Sequence, residues 1–120
     1  MRNRTVPGKY TFGSWRDVTA ADAQEALEKQ VIATQHLIVV RCLYKENSTF
    51  ASHTHPQEQI TIVESGTLKF IVDGESVEVQ AGQMISIVAG VRHSSEVVGG
   101  QTARALNLFH TPSALGPAQE

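Results

Sequence analysis

The sequence has few or none of the features that indicate a disulfide-rich, nucleic-acid-binding or membrane protein. It has one cysteine, Cys42, among 120 residues, so no disulfide can form within the chain. The formal net charge is −2 and no basic run is present, which argues against nucleic acid as the main partner. No apolar run approaches the roughly 20 residues that a membrane-spanning helix needs. We therefore expect neither a nucleic-acid partner nor a membrane segment.

The first ten residues, MRNRTVPGKY, begin with charge but contain no apolar stretch after it. They do not predict a secretion signal, and we expect a cytoplasmic protein. A hydrophobic share of 41% and a charged share of 18% are ordinary for a globular domain, and this length suits one core. Cys42 lies in the apolar run HLIVVRCLY and is expected to be a buried thiol rather than a nucleophile.

Residues 1–34 are predicted to form an irregular arm followed by one short helix. The segment TAADAQEALEKQ begins with Thr19, which could cap a helix with Asp22 three residues later. Ala23, Ala26, Leu27 and Gln30 then follow at helical spacing. The pattern predicts a helix of about three turns on the outside of a larger structure.

From residue 35 the pattern changes to that of short strands. Apolar and β-branched segments alternate with turn signals, and Asp73-Gly74 between TLKFIV and ESVEVQ is the strongest hairpin signal. About eight strands at even spacing predict an all-β sandwich or barrel over residues 35–112, with a tail at 113–120. The predicted strands are 35–45, 50–55, 58–63, 67–72, 75–80, 83–88, 92–98 and 102–109.

The segment ASHTHPQEQ at residues 51–59 has an unusual density of polar side chains. Side chains on a strand alternate between its faces, so His53, His55 and Gln59 project to one side and Glu58 to the other. Such a histidine pair can simply belong to a solvated strand face. It can equally be part of a metal site if another ligand arrives from elsewhere in the chain.

Two segments resemble the two motifs of the cupin superfamily. Residues 46–66, ENSTFASHTHPQEQITIVESG, resemble the first motif, and residues 82–93, GQMISIVAGVRH, resemble the second. Val88 stands where that family usually has proline, whereas the glycine of the turn is retained at Gly90. The resemblance implies a jelly-roll barrel (double-stranded β-helix) with one metal inside it. The ligands that it implies are His53, His55, Gln59 and His93.

The implied ligand set is electrically neutral, with three imidazoles and one carboxamide. It would leave the charge of a divalent ion uncompensated and make that ion a strong Lewis acid. Imidazole ligands suit Zn, Fe, Ni and Cu, with Mn possible. The resemblance implies a non-redox step, such as isomerisation, ring opening, cyclisation or elimination, on an oxygen-rich carbonyl substrate. The alternatives are an iron-dependent dioxygenase that cleaves a diketone and a ligand-binding protein without turnover.

The segments HTHPQEQ and ALNLFHTP resemble small single-domain cupins that open unsaturated uronates, with some similarity to cupin cyclases of polyketide pathways. The uronate-type proteins tend to carry an acid at the position of Asn107 and an arginine near Ser113. Both are missing here, which argues against a uronate substrate.

Four other residues are candidates for catalysis. Arg41 and Arg104 lie among apolar strand residues, where a buried guanidinium could bind a substrate carboxylate. Tyr44 and His110 are possible proton donors, whereas Glu58 is expected to be structural. Four apolar residues are expected in the core or the pocket wall: Phe70, Met84, Ile87 and Phe109.

We also expect a homodimer. A jelly roll leaves edge strands exposed, and the N-terminal arm could add a strand to the sheet of a partner.

Overall fold

The computed structural model describes residues 4–24 and 26–111, with the backbone alone for 21–24. Within this part the only helical segment is a 3-10 turn at Trp15–Asp17, and no helix there is long and apolar enough to cross a membrane. All other regular structure is β. The twelve strands are β1 (Arg4–Val6), β2 (Tyr10–Phe12), β3 (Ala20–Gln24), β4 (Leu27–Ala33), β5 (Leu37–Tyr44), β6 (Thr49–His53), β7 (Gln59–Ser65), β8 (Thr67–Val72), β9 (Glu75–Gln80), β10 (Met84–Ile87), β11 (His93–Val98) and β12 (Ala103–His110).

Two antiparallel sheets form the body of the protein. The larger sheet has the strand order β10-β7-β12-β5-β4-β3, and the smaller has the order β6-β11-β8-β9. Strands β1 and β2 form a separate hairpin. Several neighbours in the two sheets, such as β5 and β12 or β6 and β11, are distant in the sequence, as expected for a jelly roll. The prediction of an all-β jelly roll is confirmed.

Each of the eight strands predicted after residue 35 is present, with bounds shifted by a few residues at most. The turn between β8 and β9 has φ 47° at Asp73 and 85° at Gly74. Positive φ at both central positions is what a tight primed hairpin turn requires. The hairpin signal in the sequence is therefore confirmed by the backbone.

The predicted helix in the segment 19–30 is wrong. Residues 20–24 and 27–33 form β3 and β4, and β4 pairs with β5 through seven consecutive residue pairs. Alanine, glutamate, glutamine and lysine favour a helix locally, but the free edge of β5 offers a full set of backbone partners. Tertiary pairing therefore overrides local propensity in this segment.

The core lies between the inner faces of the two sheets. The side chains that point inward are those at odd positions of β7 and β12 and at even positions of β5. Among the core residues, Val63, Leu68 and Ile87 are almost fully buried. Phe70 is buried as predicted. Met84 is instead 54% exposed, because β10 pairs Met84 with the outward-facing Ile62 and so turns its side chain outward.

The outer face of the larger sheet carries two rows of apolar side chains. Cross-strand pairing aligns Met84, Ile62 and Leu106 in one row. A second row runs across four strands and comprises Ile60, Leu108, Val39 and Ile32.

One edge of this outer face is covered by the segment that contains the 3-10 turn. There the side-chain amide of Gln30 donates hydrogen bonds to the carbonyls of Trp15 at 2.6 Å and Val18 at 3.0 Å.

Candidate metal centre

Three histidines from two neighbouring strands and one loop meet at the mouth of the barrel. His53 ends β6, His55 lies in the loop that follows, and His93 begins β11 directly opposite His53. The ring centroid of His93 lies 4.4 Å from that of His53 and 4.9 Å from that of His55. One nitrogen of each ring lies within 4.8 Å of the other two. The three side chains could therefore hold one metal ion.

The turn before β11 connects the two sequence motifs. Gly90 has φ 79°, and its backbone N–H donates a 2.9 Å hydrogen bond to the carbonyl of His55. The N–H of Val91 donates to the carbonyl of Val88 at 3.2 Å, which closes the turn without a proline. The side chain of Val88 is 67% exposed there. The turn thus forms despite the valine and brings His93 to the loop that carries His55.

All three imidazoles present the same nitrogen to the centre of the cluster. In each ring Nδ1 lies within hydrogen-bond distance of a backbone carbonyl, which can only accept, so Nδ1 carries the proton. In a neutral ring Nε2 then holds a free lone pair, as a metal ligand requires. Nε2 of His93 is buried and has no hydrogen-bond partner among the described residues. The three acceptors are the carbonyls of Ala51, Gln57 and Val91, at 3.0, 2.9 and 2.9 Å respectively.

Gln59, the first residue of β7, could supply a fourth donor atom. Its side-chain nitrogen donates to Oγ1 of Thr61 at 2.9 Å, which turns Oε1 toward Nε2 of His55 at 3.0 Å. In the neutral tautomer with the proton on Nδ1, this Nε2 cannot donate to Oε1, and both atoms are then free to bind an ion. Two ligands that lie at right angles about 2.1 Å from one ion would be about 3.0 Å apart. The four side chains therefore fit a divalent metal.

A chain of hydrogen bonds continues from Gln59 across the inner face of the larger sheet. Oγ1 of Thr61 donates to Oδ1 of Asn107 at 2.6 Å. The side-chain nitrogen of Asn107 then donates to the hydroxyl of Tyr44 at 2.9 Å and to the sulfur of Cys42 at 3.3 Å. In this arrangement every donor of the chain faces an acceptor, and the oxygen of Gln59 is directed toward the histidines.

Burial shifts the protonation equilibria of three groups here. It raises the pKa of Tyr44 far above its ordinary value, and the neighbouring Cys42 adds to this effect. Burial also raises the pKa of the Cys42 thiol. The positive charge of Lys29 has a weak opposite effect and lowers this pKa. Burial lowers the pKa of His93, as do His53 and His55, although the carbonyl of Val91 opposes this. Tyr44 and Cys42 are therefore neutral near pH 7, and His93 is available as a neutral ligand.

The cluster opens into a cavity of about 300 Å³ between the two sheets. This volume is at the lower end of the range for small-molecule sites. Aromatic and aliphatic side chains supply much of the wall, and no described residue of the lining is an aspartate or glutamate. The lining residues are Leu27, Lys29, Val40, Cys42, Tyr44, Phe50, His53, Gln59, Phe70, His93, Ser95, Asn107 and Phe109.

Of the four residues predicted for catalysis, the structure brings Tyr44 alone to this cavity. Arg41 and Arg104 point to the outer face of the sheet, where both line a separate cavity of about 30 Å³. Nε of Arg41 lies 3.6 Å from a carboxylate oxygen of Glu64, and its guanidinium stacks 5.4 Å from the ring of Trp15. These contacts engage Arg41 on the surface opposite the histidines.

The fourth candidate, His110, also projects from the outer side of β12. Its Nε2 accepts a 3.3 Å hydrogen bond from the backbone N–H of Glu58, just before β7. The carboxylate of Glu58 itself is exposed. His110 thus connects β12 to the start of β7, and it is not among the residues that line the cavity.

Lys29 and Asn107 are among the lining residues that the sequence analysis missed. Lys29 was assigned to a helix, although the alternation of Leu27, Lys29 and Val31 was a signal for a strand with these side chains on one face. Asn107 was noted only as a departure from a family pattern. Its place in the sheet, opposite Thr61 on one side and Val40 on the other, gives it a structural role that local sequence does not reveal.

The Cupin domain profile matches residues 40–109 of the chain. The chain belongs to the cupin family. A comparison with curated protein sequences finds no significant match.

Solved cupin structures share the fold at low sequence identity. An RmlC-like cupin from Shewanella frigidimarina NCIMB 400 is 19% identical with a TM-score of 0.74, covering 92% of this chain and 94% of that protein. KdgF from Halomonas sp. is 18% identical with a TM-score of 0.72, covering 82% and 94%. The polyketide cyclase RemF from Streptomyces resistomycificus is 20% identical with a TM-score of 0.71, covering 81% and 76%. At these identities the similarity shows the fold.

Proposed function

We propose that this cupin is a metal-dependent enzyme that catalyses a non-redox step on a small, oxygen-rich carbonyl substrate. The step would be an isomerisation, a ring opening, a cyclisation or an elimination. The observation that carries the proposal is the 3.0 Å approach of two atoms that can bind a metal, Nε2 of His55 and Oε1 of Gln59, beside a cavity that Gln59, His53 and His93 line. The presence of a polyketide cyclase among the proteins of similar fold supports this reaction class.

The ligands in this proposal are His53, His55, Gln59 and His93. Zn, Fe, Ni, Mn and Cu all accept such nitrogen and oxygen donors. A divalent ion held there would act as a Lewis acid that polarises a carbonyl and stabilises its enolate. Because none of the four ligands is a carboxylate, they leave the charge of the ion uncompensated. The site would therefore prefer a substrate oxygen that is already anionic or becomes so during the reaction.

The chain supplies the remaining parts of the mechanism from the cavity wall. Tyr44 accepts a hydrogen bond from Asn107 and also forms one with Cys42, which it would exchange for a substrate oxygen. The raised pKa of Tyr44 keeps this phenol protonated, so it would donate a hydrogen bond to the oxyanion of the proposed step. Phe50, Phe70 and Phe109 would exclude water around the reacting atoms.

A second candidate function, ligand binding without turnover, is favoured by one specific observation. No described residue in the lining is an aspartate or glutamate that could accept a proton from a carbon acid. A binding protein needs the same anion-attracting metal but no base. The third candidate, an iron-dependent dioxygenase, would use the same ligands together with dioxygen.

One experiment separates these functions without knowledge of the natural substrate. The protein is loaded with each candidate metal and incubated in D₂O with an α-hydroxy ketone, a 1,3-diketone and an α-keto acid. Proton NMR then follows deuterium exchange at the carbon next to the carbonyl. The proposed enzyme accelerates exchange with at least one compound, does so only with metal, and consumes no oxygen.

The other outcomes would each identify an alternative. Oxygen consumption with the iron-loaded protein and a diketone would favour the dioxygenase. Binding of these compounds by the metal-loaded protein without any exchange would favour the ligand-binding protein.

A further inference from the structure

Lys29 occupies an inward-facing position of β4 and lines the same cavity as the histidines. It pairs with Cys42 on β5, and Asn107 donates to the sulfur of Cys42 from the next strand. Lys29 therefore stands on the same face of the sheet as Gln59, three strands away. Its position follows from the strand pairing and from the inward orientation of Leu27 two residues before it.

The charges around this lysine are unbalanced. No ion pair joins Lys29 to any of the side chains that the structure describes, and no described lining residue is acidic. Lys29 is half-buried, and an ammonium that enters a cavity with apolar walls is costly to desolvate unless an anion accompanies it. The four proposed metal ligands also contribute no negative charge. The cavity thus has two centres that attract anions and no anion of its own among its described residues.

The separation of the two centres limits the size of the ligand. Three steps between neighbouring strands span about 14 Å along a flat sheet, and the register places Lys29 level with Val63, which lies four residues or about 13 Å along the strand from Gln59. The curvature of the sheet around the cavity shortens this path, and the four-carbon stem of Lys29 covers part of it. The remaining gap suits a short chain with an anionic group at each end.

We infer that Lys29 binds a carboxylate at the end of the substrate that is remote from the proposed metal, so that it determines specificity. The inference rests on the proposed function, because the other end of the substrate is held at the histidine cluster. The ligand class is a small carbonyl compound with a second, distal carboxylate. The ammonium of Lys29 and this carboxylate form a charge-assisted hydrogen bond shielded from water by the cavity wall.

The test compares acids of equal chain length with and without the distal carboxylate. Protein loaded with Co²⁺ is titrated with 2-oxoadipate and 2-oxohexanoate, and with 2-oxoglutarate and 2-oxopentanoate, while the visible absorption of the ion is followed. In the wild type the distal carboxylate is expected to raise affinity about tenfold or more in at least one pair, as hydrogen bonds to charged groups do. Lys29→Met abolishes this preference and leaves affinity for the monoacids unchanged.

Two further variants control for charge and for folding. Lys29→Arg retains part of the preference, because it keeps the charge with a different geometry. Lys69 lies on β8 away from the cavity, and its ammonium is 3.5 Å from the carboxylate of Glu96. Lys69→Met is expected to leave the preference intact. Equal affinity of wild type and Lys29→Met for 2-oxoadipate and 2-oxoglutarate would overturn the inference, as would a wild type without any preference.

Failure of the proposed function would have a different signature. A wrong metal site would give no absorption of bound Co²⁺ with any variant. The role of Lys29 is then decided by calorimetric titration of the metal-free protein with 2-oxoadipate. Binding that is lost in Lys29→Met supports that role, and equal binding, or none, refutes it.

Discussion

The side-chain oxygen of Gln59 lies 3.0 Å from Nε2 of His55, whose Nδ1 lies 2.9 Å from the carbonyl of Gln57. The orientation of the Gln59 side chain is supported by Thr61, because the side-chain nitrogen of Gln59 donates a hydrogen bond to it. Thr61 is in turn fully buried and donates to Asn107 at 2.6 Å. The orientation of one proposed ligand thus depends on a buried hydroxyl that would never touch the metal.

Thr61→Val should weaken metal binding without unfolding the protein. Valine has nearly the same shape as threonine, but it cannot accept the hydrogen bond that orients Gln59. Loss of such a supporting contact costs about 10- to 100-fold in metal affinity. Competition with a chromophoric chelator measures the change. Thr67→Val on β8 serves as the control, and equal affinities of the two variants would contradict the orienting role.

His93→Ala should greatly reduce bound metal while the barrel stays folded. His93 starts β11 opposite His53, and its buried Nε2 has no other partner among the described residues. Elemental analysis of the purified variant measures stoichiometry, and circular dichroism verifies the fold. His36→Ala, at an exposed histidine outside the cluster, should retain the wild-type metal content. Unchanged stoichiometry in His93→Ala would refute the ligand set.

Tyr44→Phe should change how stability responds to alkali. The pKa of Tyr44 is raised in the folded protein above its ordinary value of 10.0, so the folded state favours the protonated phenol. Its contribution to stability is complete below pH 10 and is lost as pH rises above it, by about 1.4 kcal/mol per pH unit.

Urea unfolding between pH 9 and 11.5 measures this effect. Wild type should lose stability more steeply than Tyr44→Phe above pH 10. The variant Tyr10→Phe, on the exposed hairpin, provides the comparison. Parallel curves for wild type and Tyr44→Phe would mean that Tyr44 ionises equally in both states.

Gly66→Ala should destabilise the fold far more than Gly82→Ala. Both glycines have positive φ, 75° and 85° respectively, but their surroundings differ. A Cβ at Gly66 would collide with the carbonyl oxygen of Thr102 and would lie 2.8 Å from Cα of Ala103, whereas nothing lies within 4 Å at Gly82.

The expected costs follow from these two contributions. The backbone strain alone costs about 1–2 kcal/mol, and the collision adds about 1–3 kcal/mol at Gly66. Chemical denaturation of both variants measures the difference in the free energy of unfolding. Equal values would show that the backbone near Thr102 can shift without lowering the free energy of unfolding.

The outer face of the larger sheet is a candidate interface for the expected homodimer. Ile62 lies within the apolar row formed with Met84 and Leu106, and it is 38% exposed. Ile62→Asp should convert a dimer into a folded monomer, because a charge would be buried in the interface. Light scattering measures the mass.

A matched control for this prediction lies on the smaller sheet. Ile71 is also 38% exposed, and Ile71→Asp should leave the mass unchanged. A monomeric wild type would refute the dimer. A dimer unaffected by Ile62→Asp would place the interface elsewhere, for example at the N-terminal arm.

Much of the candidate site could be predicted from local patterns in the sequence. The parity of His53, His55 and Gln59 predicted one shared strand face, whereas the structure brings them from β6, a loop and β7 of the other sheet. The glycine turn before His93 could be recognised from the sequence, because positive-φ turns depend on neighbouring residues only. The same reasoning predicted all eight strands after residue 35.

The tertiary structure decided which strands pair with each other. β4 is a strand because the edge of β5 was available to it, a fact that no local pattern in TAADAQEALEKQ contains. That pairing turned Lys29 into the cavity, while the register of β5 and β12 turned Arg41 and Arg104 away from it. The sequence by itself determined which residues could serve as ligands and where the chain turns. Long-range strand pairing decided which charges face the ligand, because a shift by one residue moves a side chain to the opposite face.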